Sequence, residues 1–219
     1  MIEAILPPPI AAVERFHDTD PAPLFAAEAE AVARAVEKRQ KEFATVRLCA
    51  REALATLGVA PAALVPGERG APTWPAEVVG SMTHCDGYRA AAVARAGEVA
   101  SLGIDAEPDQ PLPDGVSGLV MSAGERAALP PTTGPCWDRL LFCAKEALYK
   151  AWFPLTARWL GFEEARVTLS ADGGFTARVL VEGAKVGDRV VTDFTGRWHA
   201  AGGLLLAAVV VDPPLTRAG

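Results

Sequence analysis

The sequence predicts an α+β protein built as two similar lobes in one chain. Two helical regions, 23–57 and one centred on 137–154, are each followed by short strand-like runs. Each half also carries a strong hairpin turn, Asp86-Gly87 in the first and Asp172-Gly173-Gly174 in the second. The halves share a pattern of elements, not of residues. The expected division is 1–103, an arm, helices and a three-strand meander, and 104–219, helices and antiparallel strands. A ligand site is expected in the cleft between the lobes.

In chain order, residues 1–22 are Pro-rich and read as an irregular arm. Ala, Glu, Arg and Leu make 23–57 helical, and Gly58 suits a helix stop. GERGAPTWP is a punctuated loop, and 78–84, 88–95 and 99–105 read as successive strands. A short helical piece, 122–129, leads to the central helix. There Trp137, Leu140, Leu141, Ala144, Leu148 and Trp152 recur at helical spacing, and Pro154 is expected to end it. Strands are expected at 165–170, 175–181, 190–198 and 204–211.

Composition excludes several classes. Half of the 219 residues are hydrophobic and 22% are charged, as in a globular chain with a real core. No apolar run approaches the roughly 20 residues that span a bilayer, and MIEAILPPPI lacks the pattern of a secretory signal. A net charge of −6 argues against general nucleic-acid binding, although a local basic pocket remains compatible with it. Cys49, Cys85, Cys136 and Cys143 form no C-x-x-C pair, so reduced thiols in the cytoplasm are expected, with Cys143 inert on the central helix.

The chemistry gathers in a few places. Glu146 and Lys150 share a face of the apolar central helix. Asp105 and Glu107 point to one face at a strand end, with Gly103 allowing close approach and Pro108 ending the pairing. Paired carboxylates there suit a hard divalent cation. Lys38, Arg39, Lys41, Arg47 and Arg51 form the densest basic cluster, and guanidinium groups bind phosphate bidentately. His84 closes the run SMTH. Each signal also has a purely structural reading: a surface ion pair, a solvated helix face, an acidic turn, a histidine capping its own turn. Together they fit a magnesium-dependent enzyme acting on a phosphorylated small molecule. Neither a P-loop nor a G-x-G-x-x-G occurs, no G-x-S-x-G elbow exists, and Cys85 beside His84 would face the other side of its strand.

GIDAEP, followed further on by FCAKEALYKAWFP, resembles the signature pair of 4′-phosphopantetheinyl transferases of the Sfp type, G-(I/V)-D-x-E and (W/F)-x-x-K-E-A-x-x-K. GERGAPTWP and VGSMTHCDGYRAAAVA are similar to the enterobactin-type and actinobacterial branch, and recognisable motifs cover 38–160. GRWHAAGGLLLAAVVV resembles the family's closing strands, whereas the arm matches no motif. The resemblance implies a pseudo-twofold pair of lobes with coenzyme A and metal in the cleft. It implies transfer of phosphopantetheine from coenzyme A to a serine of apo acyl or peptidyl carrier proteins, releasing 3′,5′-ADP. It assigns Asp105, Glu107 and Glu146 to magnesium, for which manganese can substitute, and makes Asp105, Glu146 and Lys150 catalytic, with Glu146 the candidate base. Lys150 would hold the α-phosphate. For coenzyme A it also implies His84, Arg47, Arg51 and Arg69, with Lys38 or Arg39 assisting, hydroxyls from Ser81 and Thr83, and Lys145 of the helix motif. A monomer is expected, with no nucleic acid or membrane partner.

Because coenzyme A, carrier proteins and this chain are all acidic, binding must rest on local fields. The carrier is expected at the loop 111–119 and around 152–159, where Arg158 lies. Two competing readings are a magnesium-dependent phosphohydrolase of the same anhydride and a non-catalytic carrier-binding module.

Overall fold

The computed structural model describes residues 1–130 and 134–214; the end of the expected second lobe, 215–219, lies outside them. The arm is more ordered than its composition suggests. A 3-10 turn, Ile2–Ile5, buries both isoleucines, and the strand β1, Ala11–Arg15, follows. The single helix expected over 23–57 is two: α1, Ala26–Val32, and α2, Glu37–Thr56. In one continuous helix residues 28 and 51 would stand about 35 Å apart. Folded back, the buried Glu28 carboxylate accepts two bonds from Arg51 Nη1, at 3.1 and 3.0 Å, and one from Leu64 N at 2.8 Å. That compensation for a buried charge needs the break. Gly58 ends the region at φ +68°, as expected of a helix stop.

The strands β2, Val78–Cys85, and β3, Tyr88–Arg95, form the hairpin that Asp86-Gly87 predicts. The meander does not continue to β4, Ser101–Pro108. Both edges of β3 are taken, by β2 and by β1, so β4 pairs instead with β10, Leu204–Val211. The expected boundary at 103 therefore falls inside a strand that belongs throughout to the second sheet.

Beyond β4 come two short helices, α3, Ser117–Val120, and α4, Ala123–Ala127, and then α5, Trp137–Thr156. Pro154 sits in the last turn of α5 rather than ending it, and Ala157 closes the helix at φ 50°. The strands β5, Ala165–Leu169, and β6, Gly174–Val179, form the second expected hairpin. The run 190–198 divides between β8, Arg189–Val191, which pairs with the unexpected β7, Ala184–Val186, and β9, Asp193–Ala201. The larger sheet has the order β4-β10-β9-β6-β5.

Period-two alternation explains the layering. Tyr88, Ala90, Ala92 and Ala94 of β3 share an inner core with Leu102, Ile104 and Ala106 of β4, and Ile2 and Ile5 fill it. The opposite faces are covered by helices. Ala91 and Val93 pack with Cys49, Ala50 and Leu54 of α2, and Leu205, Ala207 and Val209 pack in the core of α5. The two sheets meet along β2 and β4 without a backbone ladder between them. Ser81 Oγ accepts from Ile104 N at 3.0 Å and Thr83 Oγ1 from Ala106 N at 3.1 Å. Partner numbers rise together, so the two strands run in the same direction, joined by hydroxyls.

Candidate active site

β4 can approach α5 because residue 103 is glycine: a Cβ there would lie 2.0 Å from Ala147 O and 2.5 Å from Ala151 N. The close approach expected at Gly103 is thus to a helix. Odd-numbered β4 residues face α5, which sets Asp105 and Glu107 opposite Arg139, Glu146 and Lys150. Lys150 Nζ donates to Asp105 Oδ1 at 2.7 Å, to Ile104 O at 3.1 Å and to Met82 O at 3.4 Å, so one ammonium spans the junction of the sheets. Arg139 Nη1 donates to Glu107 Oε2 at 2.9 Å. Among the described residues Glu146 has neither a hydrogen-bond nor an ion-pair partner, and Asp105 Oδ2 is buried without one.

The electrostatics follow from this crowding. Burial and then the Asp105 charge raise the Glu146 carboxyl above its usual range, and the same two causes raise Glu107 despite Arg139. Burial alone would lower Lys150, but Asp105 outweighs it and the net direction is upward. Among the described residues no three His, Cys, Asp or Glu side chains already converge as a metal cage, since Asp105 and Glu107 are each turned to a cation. The donor set nevertheless fits a hard divalent ion, which would satisfy the orphaned Asp105 oxygen and relieve the repulsion among the acids.

At the end of β2 stands a second cluster. Arg39 Nη1 contacts His84 Nε2, and Lys38 reaches Asp86 at 3.2 Å. Glu42, absent from the sequence expectations, lies 3.8 Å from Arg39, 3.6 Å from His84 and 3.5 Å from Arg89. Burial, then Arg39, Lys150, Arg89 and Arg47, pull the His84 pKa down to about 4. Four cations therefore act on one neutral imidazole. That is a field for an anion.

Profiles of known families match both halves. The 4′-phosphopantetheinyl transferase N-terminal domain matches residues 27–94, and the 4′-phosphopantetheinyl transferase superfamily matches residues 101–201. The chain is 54% identical to 4′-phosphopantetheinyl transferase Svp of Streptomyces mobaraensis, over 98% of this chain and 90% of that protein. It is 51% identical to 4′-phosphopantetheinyl transferase PptT of Mycobacterium tuberculosis, over 84% of each. It is 50% identical to 4′-phosphopantetheinyl transferase Npt of Nocardia iowensis, over 95% of this chain and 99% of that protein. The chain belongs to the 4′-phosphopantetheinyl transferase superfamily. It is an enzyme of that type, and the hydrolase and the non-catalytic module give way to the transferase.

In this transferase several expected coenzyme A residues are otherwise engaged. Ser81 and Thr83 are buried strand joiners, with Thr83 Oγ1 also donating to Asp105 Oδ1 at 3.2 Å. Arg51 is committed to Glu28. Arg47 is buried, donates Nε to Leu64 O at 3.0 Å and lies 3.3 Å from the Phe43 ring centroid; burial pushes its pKa down to about 10. Lys145 is the clearest correction. Its ammonium is buried and donates to Glu125 and to the carbonyls of Val120, Phe162 and Ala165, turned about 100° around α5 from Glu146. Arg69 lies 5.5 Å from the Trp159 ring centroid. Tyr149, Trp159, Leu160 and Phe162, with Lys145, line a narrow slot that reaches Glu146. The sequence reading also missed Arg139, whose signal was available: it precedes Glu146 by two helical turns on one face.

No helix among the described residues is long and apolar enough to cross a membrane.

Proposed function

We propose that this transferase holds coenzyme A along the junction of its two sheets and passes phosphopantetheine to the serine of an apo acyl or peptidyl carrier protein. The observation that carries the reading is the pairing of Lys150 with Asp105 across that junction, beside an unpartnered Asp105 oxygen and an unpaired Glu146. Lys38, Arg39 and His84 receive the nucleotide phosphates, with Arg47 and Arg89 adding positive field from beneath. Arg69 closes this side over Trp159, beside Glu146.

Asp105 and Glu146, with Glu107 behind them, would hold magnesium, for which manganese can substitute. Bound there, it would neutralise charge on the pyrophosphate. Glu146 accepts the serine proton; burial and the Asp105 charge, which raise its carboxyl above the usual range, make it a stronger base than an ordinary carboxylate. The serine oxygen attacks the phosphorus that bears pantetheine, and the bond from that phosphorus to the bridging oxygen breaks. The electron pair leaves with 3′,5′-ADP, whose phosphate Lys150 meets with its ammonium. The carrier docks at the loop 111–119 and around 152–159, where Leu119 and Trp159 are exposed. The working unit is a monomer in the cytoplasm.

The test is the intact mass of an apo carrier protein after incubation with the enzyme, coenzyme A and magnesium. The expected result is a gain of one phosphopantetheine that chelator abolishes. Coenzyme A consumption with no gain on any carrier would count against it.

A further inference from the structure

Glu42 has no part in the assignment above, yet it stands in the middle of the cations given to phosphate. It lies one turn beyond Arg39 on α2, and its side chain is only 11% exposed. Two other carboxylates of this region are fully engaged. Glu28 accepts from Arg51 and Leu64 N, and Asp18 accepts from Arg89 Nε at 2.7 Å and Nη2 at 3.0 Å. Among the described residues no hydrogen bond reaches Glu42. Its oxygens are met only at ion-pair range, Oε1 by Arg89 at 3.5 Å, and Oε2 by His84 Nε2 at 3.6 Å and Arg39 at 3.8 Å.

The cations around this carboxylate differ in their freedom. Arg89 is pinned, because Nη1 also donates to Cys85 O at 2.6 Å and Tyr88 O at 3.1 Å. Arg47 is buried and fixed to Leu64 O. Arg39 is 45% exposed and has one hydrogen-bond partner, His84 Nε2. By donating there it keeps the imidazole neutral, with the ring proton on Nδ1. A guanidinium gains more from a phosphate, which offers charge-assisted bidentate bonds, than from a neutral ring nitrogen. A phosphate at this surface therefore draws Arg39 away and uncovers Nε2 beside Glu42. The charged groups about the ring are then Arg39, Glu42 and Arg47 from α2, Lys38 with Asp86 at the turn, Arg89 on β3, and Lys150, paired with Asp105, from α5. The phosphate offsets the repulsion from the cations, and Glu42 stands ready as the counterion on the protein side.

We propose that Glu42 is a positioning residue that backs Arg39 and His84 in the empty site and becomes the countercharge of the imidazolium formed when the phosphates of coenzyme A take Arg39. One proton moves from water to His84 Nε2, and no bond between heavy atoms changes. Coenzyme A binding is thereby coupled to uptake of a proton. The inference rests on the reading of this cluster as the nucleotide-phosphate site, and it adds a residue and a proton to that reading.

The test is calorimetric titration of coenzyme A into the enzyme with magnesium and no carrier, in two phosphate-free buffers of low and high protonation enthalpy. The dependence of the heat on the buffer counts the protons. A proton that coenzyme A itself sheds is common to all variants, so the comparison isolates the ring. At about pH 7 the wild type should take up about one proton per coenzyme A more than His84→Gln does. Glu42→Gln should lose most of that excess. Between about pH 6 and 8 the wild-type affinity should fall by more than about tenfold relative to that of Glu42→Gln, because only the wild type needs the proton. A glutamate with a merely structural role would lower the melting temperature of Glu42→Gln and leave its proton count equal to that of wild type. That result would overturn the role of Glu42 while leaving the phosphate reading intact. A wild-type proton count together with wild-type affinity in His84→Gln would overturn both.

Discussion

Thr83 and Asp105 sit on different sheets and are joined by a hydrogen bond: Thr83 Oγ1 donates to Asp105 Oδ1 at 3.2 Å while accepting from Ala106 N at 3.1 Å. One hydroxyl thus joins two sheets and orients the carboxylate that meets Lys150. Thr83→Val keeps the shape and removes both bonds. It should cost about 1–3 kcal/mol of stability, because a buried N–H is orphaned. Urea unfolding checks the stability, and kcat should fall in the folded variant. Thr83→Ser should recover most of both.

Glu146 is unpaired and crowded by Asp105 and Glu107, so its removal separates stability from activity. A carboxyl whose folded pKa lies above its ordinary value, 4.5 here, favours folding below that value and opposes it as pH rises through the folded pKa. Glu146→Gln should accordingly melt at a higher temperature than wild type at pH 7, and the difference should vanish toward pH 4. Its turnover should fall by about 10²–10⁴-fold. A variant that melts lower and turns over normally would mean that the carboxylate is structural.

His84 gives the opposite pH signature. Its pKa is held near 4 in the folded protein against an ordinary 6.5. Between these values the unfolded chain binds the extra proton, so stability should decline as pH falls from 6.5 toward 4. His84→Gln should flatten that part of the profile. Coenzyme A, by placing phosphate among Arg39, Lys150 and Arg89, should raise the His84 pKa, visible as a displaced imidazole titration by NMR. No displacement would place the phosphates elsewhere.

Lys145 and Glu125 form a buried pair whose loss should be felt in folding and not in nucleotide binding. Lys145→Met strands a buried carboxylate and should cost about 3–5 kcal/mol. The double change Lys145→Met with Glu125→Leu should recover most of that loss. The KM for coenzyme A of the double variant should match wild type, which a direct phosphate contact by Lys145 would not permit.

How far the sequence leads depends on what each signal measures. Alternation along 101–108 is a local property, so Asp105 and Glu107 could be set on one face before any coordinates. Helical spacing did the same for Glu146 and Lys150. Partner choice is not local. Nothing in 99–105 says that β3 will have no free edge, and so the meander was expected where β4 crosses to β10. Nor does a lysine inside K-E-A-x-x-K reveal which side of the helix it leaves; Lys145 and Glu146 are neighbours in sequence and diverge by about 100° around α5. Arg47 and Arg51 read as phosphate ligands because guanidinium chemistry is visible in a sequence, and the buried Glu28 and Leu64 that engage them are not. The aromatic slot went unread for a related reason: Tyr149 and Trp159 come together only after α5 ends and the chain turns back.

The missing ladder between β2 and β4 has a further meaning. Had the two sheets fused into one, neighbouring strands would have consumed the carbonyls of Met82 and Ile104. Those two oxygens are instead left for an ammonium, and Lys150 takes both. The lysine proposed to meet the leaving phosphate thus rests in a discontinuity of the backbone bonding, closed by two side-chain hydroxyls and that one ammonium. Any change that improved the union of the halves would remove the place where that lysine rests.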